Sequence, residues 1–490
     1  MRWKKLQKCD LMKLALVNLN MTVPDPPLGL AYLASYVRKY SDLNKIVIID
    51  KEDQIKAIKR EKPDVVGIGS MTYEFAQAKS LAQEIKETFD IPAILGGHHI
   101  TLMPQHFPNN IFDVAIVGEG ERTLTELMQI FEKYGSFPAK ELRKVKGVIF
   151  KNDRSANEQT PVRELIEPLD EIPFPARDLL KMRDYYLTLR KATFGKFGIY
   201  GQMITSRGCP YKCTFCSTTL FWRRPRLHSA ERVVGEMSYL YEKYRVDGIL
   251  LFDDLFIIDK KRVAEIARLM GEEKLNEKIK LYIYGRSNMI NEEVLKNLKK
   301  MNVVTIEFGL ESGSDKTLNF FKKGSVTVAD NRNALKLSKR YGFKTYGSFI
   351  VGAPDETEED FKKTLSLIKD KNLDGAHVYQ LTPYPGTEVW DYAKKAGFVS
   401  DDPNFDFKKI YLFDFKPDFI MTKNVSKEDF TKWYNFLQGE AEKKLLKINL
   451  KEAFSEIKPK HLRYILTPRF VKKILLNWKN NIRYLKHLYV

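Results

Sequence analysis

The chain has few cysteines, no long apolar run, and no internal repeat or low-complexity tract. Four cysteines in 490 residues are too few for a disulfide framework. No apolar run approaches the ~20 residues that a transmembrane helix needs. These absences exclude a disulfide-rich secreted protein, a helical membrane protein and a repeat array. We expect a multidomain protein of the reducing cytoplasm.

The composition is that of a folded protein with an uneven positive charge. Hydrophobic residues make up 43% and charged residues 30% of the chain, and the length favours two or three domains. The net charge is +19. Nine basic residues and no acidic residue lie between Lys458 and Val490, so about half of the net charge is carried by this tail.

Short apolar segments alternate with amphipathic segments through the first 135 residues. Such alternation predicts βαβ units and a parallel, doubly wound, Rossmann-like sheet. The expected strands are 14–20, 45–50, 64–70, 92–97 and 113–120. The expected helices are 28–40, 52–60, 75–88 and 123–133.

The alternation resumes after a proline-containing stretch that we interpret as a linker. Six further strands with helical segments between them predict a partial TIM-like (β/α)6 barrel. These strands are 197–206, 247–254, 280–287, 304–312, 344–352 and 375–383. The expected division of this α/β chain is a Rossmann-like domain at 12–135, a linker at 136–194, a barrel at 195–400 and a basic, mainly helical region at 401–490.

Three of the four cysteines are crowded into Arg207-Gly-Cys-Pro-Tyr-Lys-Cys-Thr-Phe-Cys, directly after the first barrel strand. Three thiolates at Cys209, Cys213 and Cys216 suit an iron–sulfur cluster. A structural zinc site would need a fourth ligand, for which only His228 and Cys9 are candidates. A [4Fe–4S] cluster held by three cysteines leaves one iron open to a small molecule.

The pattern Cys-x3-Cys-x-aromatic-Cys, with Phe215 at the aromatic place, resembles the signature of the radical S-adenosylmethionine (SAM) superfamily. The resemblance implies that the three cysteines hold a [4Fe–4S] cluster and that the open iron binds the amino and carboxylate groups of SAM. It also implies reductive cleavage of SAM, with an external electron donor, to functionalise an unactivated carbon. No catalytic acid–base residue is assigned.

Further candidate SAM contacts stand near the ends of successive barrel strands, where barrel enzymes keep their sites. By the resemblance, Asp254 corresponds loosely to the contact with the methionine amino group, although the usual Gly-Gly-Glu triplet is absent. The alternative is that these residues form ordinary loop hydrogen bonds. The candidate SAM-binding residues are Phe215, Asp254, Arg286, Glu311, Gly352 and Gln380.

In the first domain, glycines and small polar residues follow several of the predicted strands. No G-x-G-x-x-G follows the first strand, which disfavours a nicotinamide site. The layout is similar to the cobalamin-binding domain of B12-dependent radical SAM enzymes, although the Asp-x-His-x-x-G motif is missing. The resemblance implies base-off cobalamin; the alternative is a domain that has lost its cofactor. The candidate cobalamin contacts are Ser70, Thr72, Gly96, Gly97, His98, Gly118, Glu119 and Gly120.

The resemblance therefore implies a cobalamin-dependent radical SAM methyltransferase that methylates carbon. The group also includes the anaerobic Mg-protoporphyrin ester cyclase type, so a cyclase or oxidoreductase whose B12-type domain donates no methyl is the alternative. A non-enzymatic sensor and an RNA-modifying enzyme are disfavoured. Only Cys9 remains outside the loop, so cysteines alone cannot build an auxiliary cluster.

After Pro468, apolar residues recur at helical spacing opposite lysines and arginines. A basic amphipathic helix of this kind favours peripheral association with a membrane surface, and packing on the barrel is the alternative. We expect a small-molecule or lipid substrate and no nucleic-acid partner, because no RNA-binding module is evident.

Overall fold

The computed structural model describes residues 12–19, 25–43, 45–185, 199–412, 415 and 419–455. They divide into two compact units. The first contains the described residues up to Tyr185 together with Leu220–Arg223 and Tyr384–Tyr411, and the second contains the rest. Each unit is built on its own sheet.

The first unit contains one seven-stranded sheet. Its strands are β1 (Lys13–Val17), β2 (Lys45–Ile49), β3 (Val65–Gly69), β4 (Ala93–Gly96), β5 (Val114–Ile116), β6 (Val148–Lys151) and β7 (Asn157–Gln159). Their order is β2-β1-β3-β4-β5-β6-β7, with the first five parallel. The helices of this unit are Leu28–Tyr40, Gln54–Glu61, Phe75–Phe89, His98–Leu102, Glu121–Tyr134, Ala139–Leu142 and Glu388–Lys395.

The strand order explains where a ligand can bind. The order reverses between β1 and β3, and in open parallel sheets the crevice beyond the strand ends at such a point receives the ligand. The apolar residues of β1 and β3 are buried on both faces, as expected for strands covered by helices. The predicted Rossmann-like domain is confirmed.

The segment 136–194 differs from the linker that we expected. Its described part contains β6 and β7, which pair antiparallel and extend the sheet from β5. Strand β7 has the sequence Asn-Glu-Gln, without the apolar alternation that marks a strand. This strand forms because it pairs with β6, and its own residues are mostly exposed. The local sequence therefore does not predict it.

The second unit contains the barrel. Its strands are β8 (Tyr200–Met203), β9 (Ser206–Arg207), β10 (Arg226–Leu227), β11 (Gly248–Leu251), β12 (Lys280–Gly285), β13 (Val303–Glu311), β14 (Lys344–Val351) and β15 (Gly375–Gln380). Six of them form one parallel sheet in the order β15-β14-β13-β12-β11-β8, and β9 pairs antiparallel with β10. The predicted six-stranded partial barrel is confirmed, with β8 and β15 as its two edges.

The two faces of this sheet carry different side chains. Ile283, Ile306 and Phe349 belong to a large core that packs under the helices. Tyr200 and Tyr282 belong to a separate, smaller cluster. The helices of this unit are Thr218–Trp222 (whose residues from Leu220 belong to the first unit), Ala230–Tyr244, Lys260–Glu272, Leu275–Lys278, Glu292–Lys300, Asp315–Lys322, Val328–Arg340, Glu358–Ile368 and Lys427–Ser455.

The last described helix, Lys427–Ser455, covers the edge of the sheet at β15. Phe430 and Leu437 are buried in the barrel core, and Gln438 Nε2 donates to the Val378 carbonyl at 2.5 Å. This contact covers an edge strand that would otherwise present unpaired backbone groups. The predicted helical extension is thereby confirmed up to Ser455, whereas the basic amphipathic segment after Pro468 lies outside the described residues.

Within the described part of the chain, no helix is both long and apolar enough to cross a bilayer. This agrees with the absence of long apolar runs in the sequence. The surface association expected for the tail concerns residues that the structure does not describe, so it stays a prediction.

Gly97 is the glycine that the first sheet requires most strictly. Its φ is +100°, and a Cβ atom there would lie 2.5 Å from the Ser70 carbonyl oxygen. We predict that Gly97→Ala lowers the free energy of unfolding of the cofactor-free protein by on the order of 1–3 kcal/mol, because it adds both strain and overlap. Denaturant unfolding followed by circular dichroism measures this loss.

Gly96→Ala is the matched control, because a Cβ atom at Gly96 would meet nothing within 4 Å. We expect its unfolding curve to overlay that of the unmodified protein. Equal destabilisation by the two substitutions would contradict the packing described here.

Candidate active site

The cysteine loop follows β9, near the ends of the parallel strands. Gly208, with a φ of +90°, turns the chain into the loop, and the Cys216 amide donates to the Cys213 carbonyl at 3.1 Å. All three cysteines are free and half-buried. Burial raises the pKa of the Cys209 thiol to about 11 and also raises the pKa of Cys216. A bound cation would reverse this shift, because a metal replaces the thiol proton.

Two kinds of metal centre remain possible for this loop from its sequence: a structural zinc site and an iron–sulfur cluster. Among the described residues, no three His, Cys, Asp or Glu side chains are gathered closely enough to hold a single metal ion. A zinc ion draws its ligands to about 2.0–2.3 Å from one point. A [4Fe–4S] cluster instead distributes its cysteine ligands over separate irons. Three sulfurs, to which no described residue adds a fourth ligand, therefore fit the cluster better than zinc.

Asp254 connects the two ends of the loop. Its Oδ2 accepts from the Gly208 amide at 2.9 Å, and its Oδ1 accepts from the Thr218 hydroxyl at 3.0 Å. Gly208 immediately precedes Cys209, and Thr218 lies two residues after Cys216. Burial raises the pKa of Asp254, which these hydrogen bonds oppose. The structure therefore shows Asp254 supporting the loop, and its predicted contact with SAM stays a prediction.

The neighbouring Asp253 anchors the strand that leads into the loop. It is fully buried and accepts from the Thr205 amide at 2.6 Å and from the Ser206 hydroxyl at 2.6 Å. Arg262 donates to the Thr205 carbonyl at 2.8 Å and helps to neutralise the carboxylate. A buried carboxylate held in this way has a structural role.

Arg286 comes directly after β12 and reaches the cysteine loop. Its guanidinium lies 3.6 Å above the Tyr211 ring, and its Nη1 is 3.7 Å from the Cys213 sulfur. Nε and Nη2 bind Asn288 and Ser325. The side chain is 6% exposed, so it is held firmly beside the loop.

Glu311 ends β13 in a left-handed backbone conformation, with a φ of +56°. Its carboxylate pairs with Lys322 at 2.6 Å, and both side chains are 7% exposed. Non-glycine residues rarely adopt this conformation, and it recurs where a site holds a side chain in a fixed direction. Removing one partner of such a buried pair typically costs about 3–5 kcal/mol.

The other predicted SAM contacts also lie near the strand ends. Gly352 follows β14 with a φ of +103°, and its amide donates to Glu356 at 2.5 Å. Gln380 ends β15, where its amide group donates to the Phe419 carbonyl at 2.8 Å. Phe215 is half-buried in the loop, edge-on to Phe321. Their positions agree with the prediction, whereas their contacts with SAM stay predictions.

A polar cluster on the barrel strands was missed by the sequence analysis. Glu307 accepts from the Tyr282 hydroxyl and, at 2.7 Å, from the Ser348 hydroxyl. The register pairs Ser348 with His377. Burial lowers the pKa of His377, and the negative charge of Glu307 offsets only part of this lowering. Tyr282 belongs to the smaller cluster, so these residues share the face turned away from the helix-packed core. Polar residues alternate with apolar residues in β13 and β14, and this pattern could have predicted the cluster.

In the first unit, several predicted cobalamin contacts meet at the ends of β3 and β4. The Ser70 amide donates to the Gly96 carbonyl at 3.0 Å, and the Ser70 hydroxyl is buried without a hydrogen-bond partner. Space lies in front of Gly96, and Gly97 packs against the Ser70 backbone. A buried hydroxyl without a partner beside an open glycine fits a ligand that approaches the backbone closely.

The residues after β5 form the adjoining part of this edge. Gly118, with a φ of +85°, has open space where a Cβ atom would stand, and its amide donates to the Thr101 hydroxyl. Glu119 accepts from the Ile166 amide at 3.0 Å. Gly120 packs against Leu33 at the start of the helix Glu121–Tyr134. Gly118 therefore belongs to the open edge, whereas Glu119 and Gly120 also have structural contacts.

The remaining candidates lie close by. Thr72 is buried at the start of a short 3-10 turn after β3. His98 begins a short helix, and its ring stacks on Phe221 at 4.2 Å. The next residue, His99, stacks on Phe75 at 4.0 Å and contacts His106 at 3.1 Å. Burial lowers the pKa of His98 to about 4 and that of His99 to about 3.

Comparison with known proteins gives two family matches. Residues 203–368 match the radical SAM superfamily, and residues 15–128 match the B12 binding domain. The chain is 38% identical over 378 residues to a protein of Pyrococcus horikoshii named as an uncharacterized methyltransferase. That similarity covers 75% of this chain and 78% of the relative. The chain belongs to the radical SAM superfamily, in the group that carries a B12 binding domain.

Two further comparisons place this radical SAM protein. It is 29% identical over 396 residues to the anaerobic magnesium-protoporphyrin IX monomethyl ester cyclase of Rubrivivax gelatinosus, covering 78% of this chain and 69% of the cyclase. The solved structure of the cobalamin-dependent SAM radical enzyme OxsB matches with a TM-score of 0.69 at 20% identity, covering 98% of this chain and 72% of OxsB. At that identity the likeness shows a shared fold.

Family membership makes this radical SAM protein an enzyme that uses a [4Fe–4S] cluster, SAM and an external electron donor, and that acts on small molecules. The N-terminal domain is of the B12-binding type, so cobalamin is its cofactor. Sequence and comparison therefore agree on the cofactors. The individual contacts proposed for SAM and cobalamin remain predictions.

Because Asp254 holds the two ends of the cysteine loop, we predict that its substitution lowers the cluster content of this radical SAM enzyme. Asp254→Ala removes both accepting oxygens, so the Gly208 amide and the Thr218 hydroxyl lose their common partner. We expect less iron and sulfide per chain after anaerobic reconstitution, because the loop ends are no longer held together. Thr218→Val leaves the hydrogen bond between Asp254 and the Gly208 amide in place and should lose less.

Cluster content and SAM affinity distinguish the two roles of Asp254. Full cluster content with weakened SAM binding in Asp254→Ala would contradict the supporting role and favour the contact with the methionine amino group. Iron and sulfide analysis, together with a SAM titration of the reconstituted protein, gives both quantities.

Proposed function

We propose that this enzyme is a cobalamin-dependent radical methyltransferase that methylates an unactivated carbon of a small molecule. The observation that carries the proposal is the three-cysteine loop at the strand ends of an open barrel, in a chain that also has a B12 binding domain. The 38% identity to a protein named as a methyltransferase supports it. Methylation requires a methyl donor, and the N-terminal B12 binding domain supplies a site for a cofactor that carries the methyl group.

Each part of the site has a task in this proposal. Cys209, Cys213 and Cys216 hold the cluster, and the groups at the strand ends orient SAM. The edge formed by Ser70, Gly96 and neighbouring glycines receives cobalamin. When bound, the cluster supplies the electron that cleaves SAM to a carbon radical, and methylcobalamin supplies the methyl group.

The polar cluster of Glu307 and its partners is our candidate for contact with the substrate. Glu307 is 8% exposed and its hydrogen bonds come from neutral hydroxyls, so it remains able to accept from a hydroxyl or amine of a ligand. No strong general base is required to remove a hydrogen atom. The task of these residues is therefore to orient the substrate rather than to transfer a proton.

A cyclase or oxidoreductase is the second candidate function. The identity of 29% to a magnesium-protoporphyrin ester cyclase favours it, since that similarity also spans most of this chain. In this alternative the B12 binding domain donates no methyl group. The two functions differ in the fate of SAM and can be distinguished by their products.

Association with a membrane surface and a lipid substrate form the finer part of the proposal. They depend on the basic tail after Lys458, which lies outside the described residues. A basic amphipathic segment binds anionic surfaces through charge and buried apolar area. A lipid substrate would be presented to the enzyme at such a surface.

The products of SAM test the function. Reconstituted enzyme, supplied with cobalamin and a reductant, is incubated anaerobically with trideuteromethyl SAM and a small-molecule and lipid extract of the organism that makes it. We predict 5′-deoxyadenosine, S-adenosylhomocysteine and a compound carrying the labelled methyl group, all detected by mass spectrometry. 5′-Deoxyadenosine alone, with a product that has lost hydrogen, would favour the cyclase.

Two sets of variants control the experiment. Serine at Cys209, Cys213 or Cys216 should abolish all three products, because a cluster ligand is lost. Cys9→Ser changes a cysteine outside the loop and should leave them unchanged. Retained nucleoside production in any loop variant would overturn the proposed site.

A further inference from the structure

Arg286 is a buried cation, and each of its three guanidinium nitrogens has a partner in this structure. Nε donates to Asn288 Oδ1 at 3.1 Å, and Nη2 donates to the Ser325 hydroxyl at 2.5 Å. Nη1 points at the Cys213 sulfur at 3.7 Å. Asn288 in turn donates to the Ser325 carbonyl at 2.8 Å, which ties the two anchors together.

Charge balance identifies the missing partner of Arg286. No carboxylate of the described residues pairs with this guanidinium, although it is 6% exposed. A buried charge is costly unless an opposite charge compensates it. The sulfur of Cys213 is the group in contact that can carry negative charge, as a cluster-ligating thiolate.

The geometry also fixes the orientation of the guanidinium. Its plane is held by Tyr211, whose ring centroid is 3.6 Å away, and Tyr211 stands between Cys209 and Cys213 in the loop. Stacking and a forked donor set are properties of arginine that lysine does not share. The Arg286 side chain is thus held against the loop by Tyr211 on its face and by the hydrogen bonds to Asn288 and Ser325.

We infer that Arg286 tunes the reduction potential of the cluster by donating a charge-assisted hydrogen bond to the Cys213 thiolate. Hydrogen bonds to ligating sulfurs and nearby charge are among the determinants of iron–sulfur potentials. A positive donor stabilises the more negative, reduced cluster, so it raises the potential. Arg286 acts through Cys213 and is therefore a positioning residue. The inference rests on the cluster and not on methyl transfer.

This role differs from the contact with SAM that the resemblance predicted for Arg286. Nε, Nη1 and Nη2 each already direct one N–H group at a residue of this chain. A SAM contact predicts weaker SAM binding on substitution. A tuning role predicts a changed potential even when SAM is absent.

The test is the midpoint potential of the reconstituted cluster without SAM, followed by EPR during an anaerobic redox titration. We expect Arg286→Gln to shift the midpoint to a more negative potential, so that less than half of the cluster is reduced at the midpoint of the unmodified enzyme. Arg286→Lys keeps the charge but loses the fork and should shift it less. SAM affinity, measured by titration, should change little.

Arg268→Gln is the matched control. It removes one positive charge from the same unit, but Arg268 is exposed and pairs with Glu265 and Glu272 on the surface. Its midpoint should equal that of the unmodified enzyme. A similar shift in Arg268→Gln would overturn the inference, because a general charge effect would then suffice.

Ser325→Ala covers the case in which Arg286→Gln fails to assemble a cluster. It removes one anchor of the guanidinium and should give a smaller shift in the same direction. An unchanged potential in every variant that assembles a cluster, with or without loss of SAM affinity, would refute the tuning role. Failure of methyl transfer in the product assay would leave this inference standing.

Discussion

The active site depends on three cysteine sulfurs that lie close together in sequence within one loop. Burial raises the pKa values of the Cys209 and Cys216 thiols, so these two are stable as thiolates only beside a cation. The surrounding structure is organised to keep the loop in place. Asp254 holds its two ends, Asp253 anchors the strand before it, and Arg286 supplies positive charge at its centre.

Both units use the same structural rule. The carboxyl ends of parallel strands meet at one edge of a sheet, where loops can be shaped without disturbing the core. In the first unit the edge carries glycines and a hydroxyl without a partner, which suit a large ligand that approaches the backbone. In the second unit the edge carries sulfur, carboxylate and guanidinium groups, which suit a charged cofactor and SAM.

Most of the fold could be predicted from the sequence, because buried parallel strands are continuous apolar runs. The helix Leu28–Tyr40 was predicted to the residue, and the six barrel strands were each found within a few residues. Strands β6 and β7 were missed, since β6 pairs with the distant β5 and the sequence of β7 lacks apolar alternation. The predicted linker therefore contains structure that local patterns do not reveal.

The sequence predicted where the site residues lie along the chain, but not which side chains contact one another. The cysteine spacing and the strand-end residues were visible in the sequence. The support of the loop by Asp254, the pairing of Glu311 with Lys322 and the approach of Arg286 to Cys213 join residues 11 to 73 positions apart. Such contacts are set by the folded sheet. His99 shows the same limit, because its aromatic partners are brought together only by tertiary packing.

The most direct test of the open-iron site is EPR spectroscopy of the anaerobically reconstituted, reduced enzyme before and after SAM is added. The account predicts the signal of a reduced [4Fe–4S] cluster, and a change in that signal on SAM addition because SAM binds the iron without a cysteine. Bound zinc in the purified protein, or a cluster signal that SAM leaves unchanged, would contradict it.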